Sequence, residues 1–524
     1  MVKEYDVTLI GLGPVGSLAA LLLNHYGLKV LAIDKEEKIY DLPRAVTISD
    51  QGLRIMQSLD LENIYLDNSS EVEGAGFVDK ELKEIGGSMD FKGFITSNAW
   101  PPMRFFHQPY TDNAIRGALL SSNVTTLLEH ELLQIKNKEK SVEVAIKNLN
   151  QNKIININSK YLIGSDGGSS KVRKLLEINQ EDLNYNRDWI VVDVKLKGKN
   201  KLHNKAIQIC DPKRLATYIP AHLPFRRWEF LILEGEDKYE ISKENKIQEF
   251  IKPWLKPSEY EIIRTAVYQF HSVLADNFRK GNCFLMGDAA HQNPPFMGEG
   301  MNTGYRDAAN LSWKIALTLL KNITSTNLLD TYEKERKPHS KFIVENSSRI
   351  GKLMEAYAEA DNPDDVPQEL VASGYGSFIT PNLEEGLFFK GKADDSMGAG
   401  QLFPQPTEVE ESAIVKRLDI LFGKGYLETH PVVTGNCNGN SPLVWDETML
   451  GALRVLCRRN QPVLCSPFVL GGANTPASVA PSVAQLNAEA LSALAYTQVI
   501  RKGAPAIYGH YLSTVSMRSG APMA

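Results

Sequence analysis

Tyr5-Asp6-Val7-Thr8-Leu9-Ile10-Gly11-Leu12-Gly13-Pro14-Val15-Gly16 is the stretch on which the fold turns. Its first six residues read as a short buried strand, its glycines as a turn, and Ser17 to Leu23 as the apolar helix the turn feeds. Lys29 to Ile33 forms a second strand ending at Asp34. A strand, a helix and a strand within about 30 residues make a right-handed parallel crossover, so the expected fold class is α/β with a doubly wound, Rossmann-like sheet. In Gly11-x-Gly13-x-x-Gly16 the glycines allow a tight turn, close backbone approach to a pyrophosphate, and close packing of helix on strand. Pro14 and Val15 complete the turn, and the helix N-terminus offers free N–H groups to phosphates. Asp34, with Lys35 beside it, is placed to accept hydrogen bonds from a ribose. The pattern reads as dinucleotide binding and leaves FAD and NAD both open.

Two later segments repeat the arrangement of an acid in a glycine turn after a buried strand. They are Gly164-Ser165-Asp166-Gly167-Gly168 and Leu285-Met286-Gly287-Asp288-Ala289-Ala290-His291. Taken singly, Asp166 or Asp288 is more often a helix cap than a ligand. Three such turns in order suit one extended dinucleotide. Between them, Val142–Ile146 and Ile154–Ile157 read as a hairpin, Tyr161–Gly164 as a separate buried strand, and residues 185–280 as a sheet domain with a charged helix near Lys243–Ile251. A further helix is expected over Thr303–Leu320.

The chain has 524 residues, with 58 Lys+Arg against 63 Asp+Glu, so no global basic footprint points to nucleic acid or an anionic membrane. No segment reaches the roughly 18 apolar residues of a membrane span. Five cysteines without C-x-x-C spacing suggest neither a disulfide framework nor a metal site. A cytoplasmic protein, monomer or homodimer, with small-molecule partners is expected.

The three turns together resemble the class A FAD-dependent aromatic hydroxylases of the para-hydroxybenzoate hydroxylase fold. Pro43-Arg44-Ala45, Phe106-His107-Gln108-Pro109, Pro294 to Asn302, Arg306 to Lys314 and Leu329 to His339 are most similar to 3-(3-hydroxyphenyl)propionate hydroxylases. The resemblance implies FAD as cofactor, with Asp34 on the adenosine ribose and Arg44 and Gln108 along the ribityl and pyrophosphate. It further implies Gly287 and Asp288 at the ribityl phosphate, Asp166 at a second part of the cofactor, and Pro295, Gly298, Gly300, Met301 and Asn302 beside the isoalloxazine. Glu299 stands where a Gln is usual, and a carboxylate there must point away from the flavin or be protonated. The implied reaction takes hydride from NADPH or NADH as transient co-substrate, adds dioxygen, and passes one oxygen from a flavin hydroperoxide to a phenolic substrate. No catalytic base follows from the sequence; His107, His203, His222 and His271 are candidates, and His291 reads as packing in the cofactor turn. A polyketide or antibiotic ring as substrate, and a non-catalytic FAD-binding protein, are the alternatives.

The implied organisation is FAD-binding for residues 1–75, 106–184 and 281–350, substrate domain for 76–105 and 185–280, a helical linker for 351–400, and a truncated thioredoxin-like start for 401–425. Lysine then nearly vanishes: 37 precede residue 426 and only Lys502 follows. Residues 426–524 resemble a fragment of corrinoid-linked trimethylamine methyltransferases through Gln461 to Phe468, Gly471 to Ala477 and Met517 to Pro522. That family is a barrel of about 250 residues, so an incomplete α/β piece with no methyltransferase activity of its own is expected. Trp445, Met449 and Leu453 read as residues of the lost barrel core, exposed here.

Overall fold

Hydrogen-bond register builds the first unit. Strands Lys3–Ile10, Val30–Ile33, Thr125–Leu127, Lys153–Gly164 and Cys283–Leu285 are joined by parallel pairing, with Lys3–Ile10 between Val30–Ile33 and Lys153–Gly164. Residues 7–10, Val30–Ile33, residues 162–164 and Cys283–Leu285 are mostly apolar and fully buried, as parallel strands covered by helices must be, whereas Thr125–Leu127 is half-buried. Helices Pro14–His25, Gln108–Leu120 and Gly300–Leu320 pack around them.

The computed structural model describes residues 3–96, 98–200, 202–321, 327–372, 425–439, 443–445, 447–471, 474, 478–515 and 522–523. The chain divides into two compact units, Met1–Lys321 with Tyr332–Glu384, and Asn322–Thr331 with Glu385–Ala524.

Lys153–Gly164 corrects one expectation. The segments read as two strands are one strand of 12 residues, antiparallel to Val142–Asn148 over its first half and parallel to Lys3–Ile10 over its second. Nothing between Ile157 and Tyr161 breaks an extended chain. The later helix starts at Gly300 rather than Thr303, because Gly298 takes the left-handed conformation at φ 66° and the Thr303 N–H already donates to Glu299 O at 2.8 Å.

The first unit also holds a seven-stranded sheet in the order Tyr260–Phe270, Arg187–Leu196, Phe225–Leu231, Ala216–Ile219, Lys205–Cys210, Gly74–Asp79, Glu84–Asp90. Side chains alternate across it. Trp189 enters a cluster with Phe77, Phe270 and Phe296, whereas Ile190, Val192 and Val194 enter one with Trp228, Phe230, Ile247 and Ile251.

In the second unit, helices Glu447–Arg458 and Val479–Ile500 accompany two three-stranded sheets, one formed by Gly435–Cys437, Val463–Cys465 and Ala506–Tyr508, the other by Phe468–Gly471, Tyr511–Val515 and Pro522–Met523. Leu453 is fully buried in its small core, and Trp445 and Met449 pack partly buried against it, so these residues are not exposed as expected. The 401–425 segment falls outside the described residues up to 424, as do most of Gly471–Ala477 and Met517–Pro522. All five cysteines are free and buried. Among the described residues no helix is long and apolar enough to cross a membrane, and no group of His, Cys, Asp and Glu forms a metal site.

Candidate functional site

Parallel register brings the three turns together. Ile33, Ile10, Gly164 and Leu285 stand in one row of Cα partners, so the residues that follow them, Asp34, Gly11, Ser165 and Met286, leave the sheet along one carboxyl edge. Ligands of open α/β sheets bind at that edge. A cavity of about 550 Å³ lies there. Its wall includes Gly11, Gly13, Pro14, Val15, Asp34, Lys35, Arg44, Gln108, Asp166, Gly287, Asp288, Pro295, Gly298, Gly300 and Met301. Gly16 and Asn302 are not part of that wall.

Those two residues support it from behind. A Cβ on Gly16 would lie 1.9 Å from Gly11 O, so the first helix approaches the turn more closely than any side chain permits. Buried Asn302 accepts from Ser49 N–H at 2.9 Å and donates to Gly298 O at 3.0 Å, tying the start of the Gly300–Leu320 helix to the loop before it. Gly11, at φ 95°, lets the turn cross Ser165 and Asp166, where a Cβ would meet backbone at 2.6 Å. A Cβ on Gly13 would meet nothing within 4 Å. Gly13 is also the N-cap of Pro14–His25 without a side-chain cap, which leaves the first-turn N–H groups for a ligand.

The acids divide their duties. Asp34 accepts from Leu12 N–H at 2.7 Å and Glu36 N–H at 3.0 Å, clamping the glycine turn to the second strand. Asp166 accepts from Lys171 and Val172 N–H at 2.7 and 3.0 Å, so it caps the Lys171–Leu175 helix while lining the cavity. Asp288 is exposed between buried Gly287 and Ala289 on the wall.

Helix Gln108–Leu120 adds a wall that the sequence reading missed beyond Gln108. Gln108, Asp112 and Arg116 recur every four residues on one face, and all three line the cavity. Gln108 Oε1 accepts from Arg44 and Ala45 N–H, both at 2.7 Å, and its Nε2 donates to Asp112 Oδ2 at 3.0 Å. Asp112 Oδ1 is buried without a partner. Burial pushes its carboxyl up to about 7, against the pull of Gln108, Arg44 and Arg116. Arg116 donates through Nη2 to Leu12 O at 2.8 Å, while Nε and Nη1 are buried without partners. Unpaired guanidinium donors, an open glycine and an uncapped helix N-terminus fit the pyrophosphate of an extended dinucleotide.

Across the cavity Arg227 pins the Pro43–Ala45 segment, donating to Pro43 O at 2.6 Å and Arg44 O at 2.8 Å. Asp193 holds Arg227 in turn, at 2.8 and 3.2 Å. Asp193 interrupts the apolar run of residues 189–194, and that interruption was the available signal; Arg227 stands among the charges Arg226 and Glu229 of its own strand.

Glu299 is buried, ion-paired to Arg306 and off the cavity wall, so its carboxylate points away. His107 stacks on Phe225 with centroids 3.9 Å apart, and burial pushes it down to about 4. His203 is also lowered by burial; it lies edge-on to Tyr218. His222 Nδ1 lies 2.8 Å from Ser70 Oγ, and burial lowers it too. His291 is buried, with its Nε2 2.7 Å from Asp307 Oδ2. Of the four candidate bases, none lines this cavity, and His271 lines the one that adjoins it.

Residues 4–347 match the model of the FAD binding domain family, and residues 403–524 match that of trimethylamine methyltransferase. The 3-(3-hydroxy-phenyl)propionate/3-hydroxycinnamic acid hydroxylase of Escherichia coli K12 is 33% identical over 354 residues, covering 67% of this chain and 62% of the relative. The chain thus spans 62% of the length of that relative. Hydroxylase 2 of the same name from Burkholderia vietnamiensis is 27% identical over 494 residues, covering 88% and 85%. Among solved structures, the p-nitrophenol 4-monooxygenase of Pseudomonas putida superposes with a TM-score of 0.63 at 21% identity, covering 71% of this chain and 93% of that one. A ternary complex of aklavinone-11 hydroxylase with FAD and aklavinone gives 0.63 at 19%, covering 76% and 77%. These likenesses show the fold. With more than half its length matched by the one family model, the chain belongs to the FAD binding domain family, whose cofactor is FAD.

Proposed function

We propose that the protein is an FAD-dependent monooxygenase that hydroxylates a small phenolic acid of the 3-(3-hydroxyphenyl)propionate type, with NADH or NADPH and dioxygen as co-substrates. The observation that carries this reading is the convergence of all three glycine-acid turns on one cavity with unpaired Arg116 donors, in a chain whose curated relatives are hydroxylases of that substrate. When bound, FAD supplies the hydride acceptance and oxygen activation that no side chain provides.

The chain's part is binding, orientation and exclusion of water. The Pro14–His25 N-terminus and Arg116 hold the pyrophosphate by charge-assisted hydrogen bonds. Asp34 and Lys35 address the adenosine ribose, and Asp112, with Gln108 and Arg44 behind it, takes the ribityl hydroxyls. Asp166, Gly287 and Asp288 close the far side, while Pro295, Gly298, Gly300 and Met301 shape the ring compartment. Gly298 brings backbone close there, since a Cβ would lie 2.2 Å from Thr47 Oγ1. The seven-stranded sheet contributes Ile219, Arg227 and Glu229 to the cavity wall, where they would help exclude water from the ring. The pairing of Glu299 with Arg306 keeps a free carboxylate from the reduced ring.

Methyl transfer by the C-terminal unit is not proposed, because its described strands form two three-stranded sheets. The test is whether purified protein is yellow and oxidises reduced nicotinamide faster, with dioxygen uptake, when a phenolic acid is added. Flavin that binds but is never reduced would make it a non-catalytic FAD-binding protein. A preference for polycyclic rings over phenolic acids would refute the substrate assignment.

A further inference from the structure

A second cavity, of about 590 Å³, shares a wall with the first through Arg44, Arg227, Glu229, Asp288, Asn293 and Pro295. Beyond that wall it is bounded by Arg264, Tyr268 and His271 of the seven-stranded sheet and its end, and by Gln180 and Gln292. Its charges are unevenly paired. Asp193 is held by two hydrogen bonds from Arg227, whereas Arg264 Nη1 stands 3.5 Å from the same carboxylate and donates to Pro43 O. Arg264 Nε and Nη2 are buried with no partner, although the side chain is only 2% exposed. Nε and Nη2 form one edge of the guanidinium fork, the edge that receives two oxygens of an anion side by side. Tyr268 fixes that plane, with the guanidinium carbon 4.8 Å from its ring centroid. Glu229 on the shared wall lies 3.8 Å from Arg227, and burial raises its carboxyl to about 7.

We infer that the second cavity is an anion-binding compartment in which the free edge of Arg264 grips a carboxylate or phosphate of a small molecule brought to the flavin. The inference rests on the assignment of FAD to the first cavity. Two molecules in the proposed reaction carry such oxygens, the carboxylate of the phenolic acid and the phosphates of the reduced nicotinamide dinucleotide. Arg264 is a binding residue on this account and takes no proton.

Calorimetry on FAD-loaded wild-type protein separates the sources. One arm compares 3-(3-hydroxyphenyl)propionate with its primary amide, and the other compares NADH and NADPH with reduced nicotinamide riboside. At least one pair differs in affinity by tenfold or more on this account. R264K, which keeps the charge but loses the two-donor edge, then narrows the gap of that same pair and leaves the other unchanged. R264Q narrows it further, while both variants keep wild-type flavin absorbance. If neither pair differs more than twofold in wild type, or if flavin-loaded R264K and R264Q preserve both gaps, the inference is wrong. Failure of wild-type protein to take up FAD is a separate result and overturns the flavin assignment beneath it.

Discussion

The two long walls of the FAD cavity are made of different material. The wall at Gly11 to Val15 is backbone: an open Gly13 and an uncapped helix end, backed by a Gly16 so close to Gly11 O that only hydrogen fits. The wall on Gln108–Leu120 is side chains, with Asp112 and Arg116 turned inward and incompletely paired. A site cut by backbone shape leaves glycines at fixed spacing, and these are visible before folding. A site built of side chains on a helix leaves a spacing of four, shared by every solvated helix face.

The largest effect is expected on the backbone wall. In Gly16→Val the added atoms collide with backbone that cannot rotate away, an overpacking that costs about 1–3 kcal/mol and also closes the approach to the pyrophosphate. Purified G16V is expected to contain no flavin and to melt lower than wild type; a flavin-replete G16V would break the comparison. Arg116→Met removes charge-assisted donors, each worth about 1.5–3 kcal/mol. FAD affinity by fluorescence titration is expected to fall about tenfold to a hundredfold, with the fold intact by circular dichroism. An unchanged Kd would show that the side-chain wall does not bind.

A subtler effect separates the two members of that wall. Because burial raises Asp112, the folded apoprotein holds a proton that the unfolded chain has released. Its contribution to stability is therefore complete below about pH 4 and is lost as pH rises through about 7. The loss is at most about 1.4 kcal/mol per pH unit. Asp112→Asn is expected to flatten this part of the apoprotein melting profile between pH 4 and 8, and a profile identical to wild type would contradict it. The smallest effect belongs to Glu299→Gln. Since Gln can still accept from Arg306, FAD binding is expected to change by less than about 0.5 kcal/mol, and a large change would place that side chain at the ring.

The parallel sheet and the convergence of its turns were legible because short apolar runs closed by a glycine and an acid, one of them feeding an apolar helix, read as strands of a covered parallel sheet. Arg227 and Asp193 were not, since two charges within strands gain meaning only when the Phe225–Leu231 and Arg187–Leu196 strands pair and place one against the other. Gln108 was named for the ligand, yet its Oε1 holds Arg44 and Ala45, and the partnerless oxygen belongs to Asp112, four residues on. The near-loss of lysine after residue 425 set the C-terminal stretch apart in the sequence. It did not show that Leu453 would find a core within so short a chain, because burial there depends on Glu447–Arg458 meeting Val479–Ile500.

Calorimetric titration of apoprotein with FAD tests the central claim most directly. One FAD per chain is predicted, with affinity weakened in R116M and absent in G16V. Apoprotein that takes up no FAD, or binds it undiminished in both variants, would show that the converging turns do not hold the cofactor.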